Sequence, residues 1–312
     1  MKTIIYFISL LSLISLSNSQ PDSHEFVSLF NGRDLNNWKP DKPGGFEAID
    51  GELVTRSFGA GNDIYSERAW SNFILRFEFL LSEVGNSGVF IRRNPADPGS
   101  GFEVQLLAPW TPWRDDLHCT GSLYGHVQVT NRPDETTGVW YKMEIKCDRN
   151  IVTVSVNDKI TTIADIDTVK TLSDKPLSGL IGFQGNHAEK EGQFAKFRNI
   201  RICDLDSEPG YVLRGIIAKN ELQRFQSLDA SVKLGAQMVQ PLAELMSGDD
   251  PVVKSVARQA LFDIAAKASD PEAPARQKKE VRSAFKKSIK STSSAITVNY
   301  LRWIAGMIGN TR

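Results

Sequence analysis

Between Phe26 and Leu205 apolar residues recur at every second position in short runs cut by turn residues, and that period restricts the segment to strands. Phe73-Ile74-Leu75-Arg76-Phe77-Glu78-Phe79 puts four large apolar side chains on one face. Phe46–Ile49 and Glu52–Val54 flank Asp50-Gly51, a hairpin signal, and Trp140–Cys147 meets Ile151–Val156 across Asp148-Arg149-Asn150. Leu180–Gln184 and Phe197–Ile202 complete the set. Many short strands without an intervening helical pattern predict an all-β two-sheet jelly-roll sandwich.

The stretch Gly85–Leu107 carries the chemistry. Gly85-Asn86-Ser87-Gly88-Val89-Phe90-Ile91-Arg92 and Gly101-Phe102-Glu103-Val104-Gln105-Leu106-Leu107 read as neighbouring antiparallel strands. Strict alternation puts Arg92 on the face of Phe90, and Glu103 with Gln105 opposite Phe102, Val104 and Leu106. A cation, a carboxylate and an amide are then expected together on one sheet surface. The plainer reading of the same residues is a solvated strand face with a cross-strand ion pair.

Past Ser207 the period changes. From Tyr211 to Ile308 apolar residues recur at helical spacing, with Glu208-Pro209-Gly210 read as a linker and Tyr300–Gly309 as the start of a last helix. Lys and Arg number 21 against 27 Asp and Glu up to Ser207, and 16 against 10 beyond it. Residues 207–312 are therefore read as a smaller all-α helical repeat domain after a β domain at 22–206. Pro241–Met246, Asp249-Asp250-Pro251 and Ser255–Leu261 resemble a unit of a HEAT-type repeat, which implies a protein partner through the helices. Such units need a neighbour, so the array either docks on the β domain or continues beyond Arg312. The basic run from Arg276 to Lys290 is read as a solvated helix face rather than a nucleic-acid surface.

Lys2, the apolar run Ile4–Leu16 and Ser17-Asn18-Ser19 make residues 1–19 a signal peptide, so the chain is expected to be secreted or periplasmic. No run is long enough for a membrane span. Three cysteines, Cys119, Cys147 and Cys203, leave at least one unpaired, and no bridge is assigned.

Five linked motifs narrow the class. Leu29-Phe30-Asn31-Gly32-Arg33-Asp34-Leu35 with Trp38, Gly85–Arg92, Gly101–Gln105, Gly121-Ser122-Leu123-Tyr124, and Gly182-Phe183-Gln184 through Phe197–Ile200 together resemble the 3-keto-disaccharide hydrolase family. The resemblance implies a concanavalin A-like, laminin-G-like jelly roll and an exported enzyme acting on a small carbohydrate already oxidised to a ketone at C3. That ketone acidifies the C2 proton, so one base, one oxyanion stabiliser and one acid suffice for elimination of the C1 substituent, with or without rehydration.

The expected catalytic residues are Glu103 or a histidine as base, Arg92 and Gln105 at the oxyanion, and Tyr124 or a histidine such as His118 as acid. Trp110, Trp113, His126, Gln184 and His187 are the expected substrate-binding residues, the two indoles as a platform for sugar rings. His24 is read as part of an unstructured lead-in. No histidine pair has the tight spacing of a zinc motif, so no cofactor is assigned and a divalent ion stays open; convergence of His118, His187 and Glu103 would make an ion stabilising the enolate a serious option. With one carboxylate on the polar face, a non-catalytic carbohydrate-binding sandwich or a protein-interaction module is the alternative.

Overall fold

A computed structural model describes residues 24–55, 62–97, 99–112, 114–187 and 190–309. The expected signal peptide, 1–19, and Trp113 lie outside the described residues.

Thirteen described strands form two antiparallel sheets. The larger contains β1 (Val27–Ser28), β3 (Phe46–Ile49), β4 (Glu52–Thr55), β6 (Phe73–Leu81), β9 (Tyr141–Asp148), β10 (Ile151–Val156), β11 (Lys159–Asp165) and β13 (Ala195–Asp204). Its order is β11-β10-β9-β6-β13-β4-β3, with β1 also on β13. The smaller runs β2 (Trp38–Pro40), β5 (Ile64–Trp70), β12 (Gly179–Phe183), β7 (Asn86–Arg93) and β8 (Phe102–Leu107). The expected hairpin is present, with Ile49 opposite Glu52, and β7 pairs β8 with Phe90 opposite Glu103.

The alternating residues meet between the sheets as predicted. Phe73, Leu75, Phe77 and Phe79 of β6 share one core with Val89, Ile91, Phe102, Val104 and Leu106, and Trp38 and Trp70 join them. Phe183 packs on Phe197 at 4.3 Å and edge-on to Phe77 at 5.4 Å. All three cysteines are buried.

One residue breaks the alternation. Between Phe90 and Arg93, strand β7 spends one residue more than β12, and Arg92 takes φ +53°, so the strand bulges there. Arg92 therefore turns inward and is fully buried. Its guanidinium donates to Ser71 O (2.8 and 3.1 Å), in the β5–β6 connection between the sheets, and to Arg149 O (2.7 Å), in the β9–β10 turn of the larger sheet. Two glycines accommodate the bulge. A Cβ on Gly101 would stand 2.5 Å from Ile91 O, and one on Gly179 would lie as close to Arg92 O.

After a 3-10 turn, Leu205–Ser207, the chain is helical: α1 (Pro209–Ile216), α2 (Glu221–Leu234), α3 (Ala236–Ser247), α4 (Pro251–Ser269), α5 (Ala275–Ser291) and α6 (Ala295–Ala305). The Glu208-Pro209-Gly210 stretch is not a linker, because Pro209 occupies the first helical turn, where it forfeits no hydrogen bond. The final helix starts earlier than its sequence suggests, since Ser294 accepts from Thr297 N and caps it. Of the two expectations for the helices, docking is the one observed. Ile74 and Cys203 on the outer face of the large sheet share a second core with Tyr211, Val212 and Ile216 of α1. Tyr211 donates to Asp148 Oδ1 at 2.8 Å under the Arg149 guanidinium. No helix among the described residues is long and apolar enough to cross a membrane.

Replacing Arg92 with Met would leave the Ser71 and Arg149 carbonyls without their charged donor. Stability is expected to fall by about 2–4 kcal/mol, read as a lower urea midpoint with an unchanged slope.

Candidate functional site

The outer face of the small sheet is shaped by missing side chains. Gly88 of β7 lies beside Glu103, and a Cβ there would stand 2.9 Å from the Glu103 Cγ and Cδ atoms. Gly182 of β12 is covered by the Tyr65 ring, 2.6 Å from where its Cβ would be. These glycines form a floor on which a carboxyl group and a phenol ring lie flat. Tyr65 also stacks on Phe90 at 5.9 Å.

Glu103 is half-buried on this floor and accepts a 2.9 Å hydrogen bond from Gln184 Nε2. Burial pushes its carboxyl up to about 7; Arg93 opposes the rise, Asp63 adds to it, and the Gln184 bond opposes it. Gln184 is fixed in turn, its N donating to Gly88 O at 2.8 Å and its carbonyl accepting from Ser87 Oγ at 2.7 Å.

The arginine of this face is Arg93, not Arg92. The bulge brings the Arg93 guanidinium over the Phe90 ring at 4.2 Å, where Nη1 donates to Ser100 O. The expectation that Arg92 shares a surface with Glu103 and Gln105 is thus corrected: a single extra residue exchanged the faces of two consecutive arginines.

The other predicted residues divide into groups. Gln105 is buried and donates to Asn86 Oδ1 at 3.0 Å, while His187 N donates to Asn86 O at 2.7 Å. The His187 ring is held below the usual imidazole range by burial, with Asp63 opposing, and its Nε2 has no partner among the described residues. His118 and Tyr124 sit on a loop that covers the free edge of β8: Gly121 N and Gln105 N exchange bonds with Gln105 O and Ser122 O, and Tyr124 N donates to Glu103 O. Their rings meet edge to face at 4.9 Å, and His118 Nδ1 lies 2.7 Å from Asp115 Oδ1. His126 is held low by burial and by Lys175. Trp110 is exposed.

Sequence reasoning missed Asp63, Tyr65, Asn86 and Arg93. Asp63 accepts from Tyr65 Oη (3.2 Å) and Gly185 N (3.0 Å), so the face holds a second carboxylate beside Glu103. Period-two alternation in Asp63-Ile64-Tyr65 was the available signal, since Ile64 belongs to the core and its neighbours therefore point outward.

The ligand atoms of Glu103, His118 and His187 do not converge. Among the described residues, the one group of three His, Cys or acidic side chains gathered closely enough for an ion is His24, Cys203 and Glu208, beside the helices. The outer face of the large sheet also has a concavity of about 440 Å³ lined by Arg76, Glu78, Lys142 and Glu144. Both of its glutamates are already matched, Glu144 with Arg76 and Glu78 with Arg198, each at 2.7 Å. The Glu103 face is the better candidate because its carboxyl is held away from its ordinary ionisation.

The chain thus folds its first part into a two-sheet antiparallel sandwich with a glycine-floored outer face. Residues 25–203 match the model of the 3-keto-alpha-glucoside-1,2-lyase-like domain, and the chain belongs to that family. Among solved structures, the chain is similar to a candidate glycosyl hydrolase from Parabacteroides distasonis at 24% identity and TM-score 0.51, over 57% of this chain and 98% of that one. A second candidate glycosyl hydrolase from that organism gives 22% identity and TM-score 0.49 over 57% and 93%. A carbohydrate-binding module, CBM66 from Bacillus subtilis, gives 16% and 0.40 over 54% and 95%. At these identities the likeness concerns the fold. No curated protein matches the chain.

The raised Glu103 carboxyl has a thermodynamic consequence. The folded protein holds that proton more tightly than the unfolded chain, so Glu103 costs stability as pH rises from about 4.5 to about 7. Glu103→Gln should remove that slope and, above pH 7, stabilise the protein by no more than about 3 kcal/mol, read from urea melts at pH 5 and pH 8.

Proposed function

We propose that the chain is an exported enzyme that cleaves 3-keto-glycosides at C1 by elimination. The observation that carries the reading is Glu103: a carboxyl whose proton is held to about pH 7, on an outer sheet face with Arg93 near it. A base poised near neutrality suits removal of a C2 proton that the adjacent C3 ketone has acidified. The family match at residues 25–203 supports the substrate class.

In this reading Glu103 takes the C2 proton and the electron pair moves onto the C3 oxygen. Arg93, rather than Arg92, faces the resulting enolate charge. As the enolate collapses, the C1–O bond breaks, and Tyr124 gives its proton to the leaving oxygen. Its backbone is anchored to Glu103 O, which keeps the acid near the base. Gln105, tied to Asn86, positions the floor instead of contacting the oxyanion, and Gln184 orients Glu103. Trp110, with His126 and His187 nearer the sheet, would contact the sugar beyond the bond that breaks. Water adding across the unsaturated product would complete a net hydrolysis.

The remaining assignments belong to the same proposal: a concanavalin A-like jelly roll at 22–206, HEAT-like helices at 207–312 that offer a protein-binding surface, and a leader at 1–19 that exports the chain.

Incubation with a 3-keto-disaccharide and with its unoxidised parent tests the reading, since only the ketone should be consumed. Glu103→Gln should lower kcat/KM by about 10²–10⁴, and the wild-type profile should rise with pH through about 7 as the base ionises. Binding of both sugars without turnover of either would instead identify a carbohydrate-binding module. Arg93→Met should depress turnover far more than Arg92→Met does at a temperature where both variants are folded.

A further inference from the structure

Three segments distant in sequence bring metal-ligating atoms to one point where the large sheet meets the helices. His24 precedes β1, Cys203 is the penultimate residue of β13, and Glu208 directly precedes α1. Glu208 Oε1 lies 2.7 Å from His24 Nδ1 and 3.3 Å from Cys203 Sγ, and the three ligand atoms all fall within 4.8 Å of one another. Glu208 stands at the N-cap position of α1, yet its carboxylate caps nothing and turns to the imidazole and the thiol. Cys203 is buried, whereas His24 and Glu208 each keep about a quarter of their side-chain surface exposed, which leaves a path from solvent.

We propose that His24, Cys203 and Glu208 form a binding site for a zinc-class divalent ion. Imidazole, thiolate and carboxylate are the donors zinc accepts, and on a tetrahedral ion with bonds of about 2.0–2.3 Å neighbouring donors stand roughly 3.3–3.8 Å apart. The Glu208–Cys203 pair already stands at that spacing, and the Glu208–His24 pair reaches it by moving apart. Binding displaces the proton shared by Nδ1 and Oε1 and the thiol proton, both to solvent, with no change of oxidation state. Three protein ligands leave the fourth position to water. The ion ties the segment before β1, the end of β13 and the start of α1 together. It lies on the face of the sandwich opposite Glu103, since Cys203 faces the helices and Glu103 the outside of the other sheet. The site does not depend on the proposed reaction.

The test uses the whole purified chain, stripped of metal and kept reduced. Zinc added and then passed through gel filtration should stay at one ion per chain and raise the melting temperature. Cobalt in its place should give the near-ultraviolet absorption of a thiolate-bound ion, which Cys203→Ser abolishes and Cys119→Ser leaves intact. Cys203→Ser and Glu208→Gln should each weaken zinc binding by about 100-fold, the upper end of what even outer-shell losses cost a zinc site. The second variant alters a partly exposed side chain and serves if the first does not fold. Retention of no zinc by the wild type, or equal retention by the wild type and Glu208→Gln, would overturn the proposal.

Discussion

The left-handed backbone at Arg92 is the constraint on which the rest of the small sheet depends. A positive φ at a non-glycine residue inside a strand costs free energy, and it persists here because its surroundings hold it in place. Gly101 and Gly179 press on the bulge from neighbouring segments, and the guanidinium is captured by Ser71 and Arg149. A buried cation needs several acceptors, and the β5–β6 connection and the β9–β10 turn supply them as carbonyls. The same contact reaches further. Arg149 covers Tyr211 of α1, so one turn touches both sheets and the helical segment.

What the bulge achieves on the outside follows from geometry alone. By consuming one residue it hands the outer face to Arg93, beside Phe90 and within electrostatic reach of Glu103. Glycines at 88 and 182 then let a carboxyl and a phenol ring lie against the sheet, where water is scarce. Scarcity of water is what lifts the Glu103 proton affinity; Asp63 adds to it, and Arg93 together with Gln184 limits the rise. Burial thus brings the carboxyl to about 7, near neutrality.

The two ends of the molecule use the sandwich differently. The outer face of the small sheet carries Glu103, Asp63 and Arg93. Part of the outer face of the large sheet is covered by α1, through Ile74, Cys203 and Leu205. That cover also creates the junction where His24, Cys203 and Glu208 meet, from residues that belong to no common sequence motif.

The sequence by itself determined the sandwich, the hairpin at Asp50-Gly51, the pairing of β7 with β8, the outward face of Glu103 and Gln105, and the switch to helices after Ser207. Each rests on a local period or turn signal, which neighbouring residues express without help from distant ones. The proximity of Gln184 to Glu103 was legible only as part of a shared motif pattern, since β12 follows β8 by some seventy residues. Which arginine faces the site and the assembly of the His24 cluster were decided by tertiary structure alone. A bulge is imposed by glycines on other strands, and charges converge through register between strands. Neither leaves a trace in the alternation of the strand that carries it.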